Sequence, residues 1–253
     1  MRKVWSFIRT TLIIILTIVL FFFVYQTSVF FIRDGAERKA ITQVKELIHD
    51  NIDDQAQEFS FTHDAWNTLH AINPDMTAYI AFPDEFISEP IVCSTDGDYY
   101  LKHWIDGTNN TQGTIFTTND GWKNNCMNTV LYGHNVYYDA SAKFTPLTIL
   151  TEQALYDQHS AFKIWTEDKA YTYHIYSVIE YDASLENFNL LKQIDMDQET
   201  FDKFKTEVDS KNMIVPSCDI QYGDKFVTLL TCKKYQKTAR IVVTAKLISE
   251  EGY

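Results

Sequence analysis

A chain of 253 residues has room for one sizeable domain plus accessory segments, and its 45% hydrophobic and 15% aromatic content excludes a disordered protein. A formal net charge of −12 excludes the basic face that a nucleic-acid partner requires, so none is expected. Four cysteines (Cys93, Cys126, Cys218 and Cys232), with no CxxC pair and no Cys/His spacing of a zinc site, are too few for a disulfide framework, and no metal or cofactor motif is present.

In chain order, the first element is an apolar run from about Thr11 to Ile32, preceded by Arg2, Lys3 and Arg9. Its length, roughly 20 residues, matches the hydrocarbon thickness of a bilayer. The basic residues before it predict a cytoplasmic N-terminus and an external remainder. A cleaved signal peptide is the rival reading, but the run is long for one and no A-x-A-like site follows it. From Gly35 to about Ile72, Ile41, Val44, Ile48 and Ile52 recur at helical spacing, and a second stretch, Ala56 to Leu69, carries Phe59, Trp66 and Leu69. This predicts a helical pair, with a solvated stalk as the alternative.

After Asn73-Pro74 the pattern changes to short apolar runs separated by turn residues. Strands are predicted at Ala78–Phe82, Pro90–Val92, Thr114–Thr117, Thr129–Tyr132, Ala161–Trp165, Tyr171–Tyr181, Phe226–Thr231 and Ile241–Ile248. About eight short strands predict a closed barrel or sandwich. One helix interrupts them, Gln198 to Asn212, with Phe201, Phe204 and Val208 on one face. The division is 1–32 for the tip and transmembrane anchor, 33–71 for the helical segment and 72–253 for a mainly β domain.

The chemistry-bearing residues lie late in this pattern. Phe226 to Cys232 reads as a strand ending at a thiol, and a short polar loop leads to a strand opening near Arg240. Such a pair forms an antiparallel hairpin, and with Cys232 opposite Arg240 both side chains share one face. A guanidinium there favours thiolate and can hold an oxyanion; the alternative is an ordinary surface arginine. Of seven histidines, His134 follows Val130-Leu131-Tyr132-Gly133, where a strand runs out into a loop.

Thr228-Leu229-Leu230-Thr231-Cys232 is similar to the TLxTC motif of sortases. Leu131-Tyr132-Gly133-His134 resembles the segment that holds the sortase histidine, and Arg240 matches the position of the sortase arginine. Asn73-Pro74-Asp75, Glu89 to Val92, Asp98 to His103 and Gly113 to Phe116 look like sortase core segments in the same order, so the resemblance covers roughly residues 70 to 250. The late helix and the helical segment ahead of the barrel resemble class B. Cys93 after Pro90-Ile91-Val92, Leu230 inside the motif and Lys233 after the cysteine depart from the usual pattern.

The resemblance implies a closed sortase-type β-barrel behind one transmembrane helix, with the catalytic domain outside the cell. It implies a transpeptidase whose Cys232 cleaves a threonine-containing sorting signal of secreted proteins through a thioester. The acyl group passes to an amine of peptidoglycan or its lipid-linked precursor. His134 is the implied proton carrier and Arg240 the oxyanion holder. Ile91, Ile179, Leu230 and Thr231 occupy positions resembling the substrate wall, or are plain packing. No cofactor is implied. The alternatives are a membrane-tethered binding domain of the same fold without catalysis, and a pilus-assembly sortase.

Overall fold

The computed structural model describes residues 2–49, 61–137, 139–182, 184, 190–233, 236 and 238–252. It divides into two compact units, residues 1–45 and 46–253.

The first unit is almost entirely helix α1, Arg2–His49. Within it, Phe7–Ile32 is a 26-residue stretch of mean hydropathy 2.6, long and apolar enough to cross a membrane. The helical segment expected over 35–72 is split. Residues 35–49 continue the same helix as the apolar run, 50–60 lie outside the described residues, and α2 spans His63–Ile72. Thr62 caps α2, its hydroxyl accepting from the Ala65 amide at 3.2 Å. Ala65, Trp66 and Leu69 form its buried face. Pro74 ends it, because the residue before a proline is pushed out of the helical region, and Asn73 sits at φ −146, ψ 113.

The second unit holds eight strands: β1 Met76–Ala81, β2 Ser88–Cys93, β3 Ile115–Thr117, β4 Asn128–Tyr132, β5 Ala161–Trp165, β6 Lys169–Asp182, β7 Phe226–Cys232 and β8 Ala239–Gly252. They close into a barrel in the order β1-β2-β3-β4-β7-β8-β6-β5, as the strand count predicts. Two pairings are parallel, β2 with β3 and β4 with β7; the other six are antiparallel.

Alternation along the strands sorts side chains into two cores. Val227 and Leu229 of β7 point inward with Ile91, Leu131, Ile164, Ile241 and Val243. Phe226 and Leu230 point outward with Ile179, Tyr181 and Val242. That outer face is covered by α4, Gln198–Lys211. Asp197 caps α4 by accepting from the Thr200 amide at 2.8 Å, and Phe201, Phe204 and Val208 supply the buried stripe. Each such side chain contributes roughly 1.5–3 kcal/mol by leaving water.

A parallel β2–β3 pair needs a crossover, and residues 94–114 provide it. Asn73 Nδ2 donates to the Tyr100 hydroxyl and to the Ile105 carbonyl, both at 2.7 Å, and the Tyr100 hydroxyl donates to Asp75. The Asn73-Pro74-Asp75 segment thereby fastens this loop to the end of α2. Gly113, at φ 62, closes it where an added Cβ would lie 2.5 Å from the Tyr100 carbonyl oxygen. The shorter helix α3, Gln153–Gln158, carried no clear periodicity in the sequence.

Candidate active site

Cys232 is the last residue of β7 and Arg240 the second of β8, and the two are directly paired, as the hairpin spacing predicts. The Lys233 amide donates to the Ala239 carbonyl at 3.0 Å and closes the turn between them. On its other side β8 pairs with β6, where Tyr181 is opposite Arg240.

His134 arrives from β4. The parallel register runs from Asn128 beside Phe226 to Tyr132 beside Leu230. Two residues further along each strand are His134 and Cys232. The Gly133 amide donates to the Leu230 carbonyl at 3.0 Å, and Asn135 Nδ2 donates to the Cys232 carbonyl at 2.9 Å, so the alignment persists past the end of β4. Cys232 is thus flanked by the His134 segment on one side and Arg240 on the other, and all three are half-buried.

His134 Nε2 lies 2.8 Å from the Leu101 carbonyl oxygen. A carbonyl only accepts, so the proton sits on Nε2, and in the neutral ring Nδ1 is left as the acceptor. Arg240 Nη1 donates to the Ala239 carbonyl at 3.0 Å. Sequence reasoning found His134 but not the Leu101 carbonyl or the Asn135 amide. A backbone oxygen leaves no residue-type signal, and the partner of Asn135 is 97 residues away.

Around this set, Lys233 pairs with Glu180 at 2.6 Å. The Asp182 carboxylate accepts from the Ser184 and Thr238 hydroxyls, each at 2.6 Å, which ties the end of β6 to the β7–β8 turn. The Ser184 hydroxyl, then Thr238, holds the Asp182 carboxyl below its usual range, with Arg240 adding attraction. A depressed carboxylate stabilises the fold fully above its unperturbed value near 3.8 and loses that contribution as pH falls through the lower folded value. The melting-temperature gap between wild type and Asp182→Asn is therefore expected at pH 7 and should narrow as the pH falls below the ordinary carboxylate value of 3.8. A gap that is constant with pH would refute it.

Of the four groove candidates, the pleat turns two inward. Ile91 and Thr231 point into the barrel and are 0% exposed, which favours the packing alternative of the sequence reading. Ile179 shares the outer face with Cys232 but is covered in the cluster with Leu190 and Phe204. Leu230, 7% exposed, lies on the Cys232 face one alternate position before it.

Burial pushes the Cys93 and Cys218 thiols up. Among the described residues, no group of three or more His, Cys, Asp or Glu side chains is arranged to hold a metal ion.

Comparison with known proteins places this arrangement. A family model of the sortase domain matches residues 91–248. The sortase B of Staphylococcus aureus (strain NCTC 8325 / PS 47) is 24% identical over 238 residues, 93% of this chain and 94% of that one. The crystal structure of Clostridium perfringens sortase B is 29% identical with a TM-score of 0.65, covering 73% of this chain and 100% of that one. A Staphylococcus aureus sortase B–substrate complex superposes with a TM-score of 0.71 at 24% identity, covering 86% and 99% respectively.

Proposed function

Because the chain belongs to the sortase family of transpeptidases, and to its class B, we propose that Cys232 is the nucleophile of a cysteine transpeptidation. The observation that carries the reading is the strand register, which sets Cys232 between the His134 segment and Arg240. In the proposed reaction His134 Nδ1 takes the Cys232 thiol proton, and the thiolate attacks the carbonyl carbon of a threonine within the sorting signal of a secreted protein. The oxyanion that forms is held by Arg240 once its guanidinium turns from the Ala239 carbonyl. His134 gives a proton to the departing amine and the peptide C–N bond breaks, leaving a thioester. A wall amine then attacks the thioester, its proton passes to His134, and the thiolate leaves.

The accepting amine belongs to peptidoglycan or its lipid-linked precursor in this reading. Leu230, adjacent to the nucleophile on the same face, is the proposed floor for the signal. The Phe7–Ile32 stretch is proposed as an uncleaved anchor with the N-terminus in the cytoplasm, residues 33–71 as the connecting segment and 72–253 as the extracellular catalytic domain.

The test is intact-mass analysis of the chain incubated with a panel of threonine-containing sorting peptides and a peptide amine. A thioester adduct or ligated product on wild type, absent from Cys232→Ala, is expected. Cleavage or ligation that survives in Cys232→Ala would sink the assignment.

A further inference from the structure

A buried ion pair lies at the His134 loop. Lys143 Nζ is 3.3 Å from Glu89 Oε2, with the two side chains 3% and 10% exposed. Glu89 is on β2 and has the same parity as Ile91, so its side chain belongs to the barrel interior. Lys143 stands at the far end of the loop that begins at His134, and it sits at φ 53, in the left-handed region. The pair joins this loop to a strand separated from β4 by the whole of β3.

The backbone around Lys143 is what shapes the His134 segment. Lys143 forms a β-bridge with Asn135. The Phe144 amide donates to the His134 carbonyl at 3.2 Å, and the Val136 amide donates to Thr145 Oγ1 at 2.7 Å. The Phe144 ring fills the space beside Gly133, where an added Cβ would lie 2.5 Å from it. Asn135 in turn donates to the Cys232 carbonyl. Displacing Lys143 would therefore disturb the bridge to Asn135 and the Phe144 bond to the His134 carbonyl, two of the contacts that shape this segment. A buried ion pair adds little net stability over apolar packing, and its best-attested use is to fix one arrangement among several. Lys143 occupies the left-handed region, where glycine is favoured, so its side chain is kept at some backbone cost.

We propose that Glu89 and Lys143 are positioning residues for the reaction, their buried ion pair holding the His134 loop in register with Cys232. The proposal rests on the reading of His134 and Cys232 as the reacting pair. It goes beyond that reading by assigning a role to two residues outside the reacting pair.

The test uses the full chain in detergent, with Glu89→Gln, Lys143→Gly and the double variant Glu89→Gln/Lys143→Gly. Lys143→Gly suits the left-handed backbone but removes the buried alkyl stem together with the ammonium, so its melting temperature is read beside its kinetics. The double variant leaves no unpaired buried charge, so it is expected to fold where a single variant does not. Two readouts are taken. One is the rate of Cys232 alkylation by iodoacetamide against pH. The other is the tautomer of His134 from ring 15N shifts in histidine-labelled protein, which needs no peptide substrate. Wild type is expected to show the Nε2–H tautomer. The folded variants should show mixed tautomers, a displaced pH–alkylation midpoint, and at least a tenfold fall in peptide kcat with KM little changed. In the double variant, a wild-type melting temperature with kcat still low confirms positioning. Wild-type tautomer, pH profile and kcat in the folded double variant would overturn it, leaving the pair a structural fastening. Failure of wild type to turn over any peptide would count against the proposed reaction instead, while the tautomer and alkylation arms would still decide the brace.

Discussion

Cys232→Ala is expected to lose transpeptidation by at least about a thousandfold while keeping its fold. The fold should survive because the contact made here to the neighbouring loop, from Asn135, goes to the Cys232 backbone carbonyl and does not involve the sulfur. The side chain is half-buried at a strand end, so removing one sulfur opens little cavity. The loss comes entirely from chemistry, since without the thiolate no acyl-enzyme forms. Ligation rates with a sorting peptide and an amine, beside melting temperature, check both halves. Alkylation gives a second measure: Cys93 and Cys218, whose thiols burial pushes up, should react slowly at pH 7. Cys232→Ala is expected to remove the fast-reacting thiol. Retained fast labelling in that variant would move the nucleophile elsewhere.

Arg240→Ala is expected to lower kcat by about 10²–10³, the size found when one oxyanion donor is removed. Arg240→Lys should recover only a small part of this. Lysine keeps the charge but lacks the planar fork that reaches two acceptors at once, and here the donor must also clear the Ala239 carbonyl. The loss should fall on kcat more than on KM, because the oxyanion exists only along the reaction path. Steady-state kinetics on both variants provide the check. A loss confined to KM would make Arg240 a substrate-binding residue, and full activity in Arg240→Lys would reduce it to a general positive charge.

Much of the fold was legible because its signals are local. The apolar run through Ile32 is read by length, and all eight strand segments by short apolar runs between turn residues. The helix at Gln198–Lys211 is read from three apolar residues on one face. The Cys232–Arg240 pairing was also legible, since only a short turn separates the strands and spacing nearly sets the register. His134 was placed at a strand end by the glycine before it, but its spacing gave no reason to prefer it over six other histidines. Its selection came from the resemblance.

The sequence by itself determined the elements, the apolar stretch and the hairpin that pairs thiol with guanidinium, because those depend on residues within a few positions of each other. Only the tertiary structure decided which strands lie side by side and which face each residue takes. The parallel β4–β7 pairing brings His134 to Cys232 from 98 positions away in the chain, an offset the register Asn128 to Phe226 records. Barrel closure also turns Ile91 on β2 and Thr231 on β7 inward, because a strand's side chains alternate and closure chooses the buried side. The Leu101 carbonyl against His134 and the Glu89–Lys143 pair are likewise products of closure. Each joins groups with no local relation, brought within hydrogen-bond reach only when the barrel excludes water from the space between them.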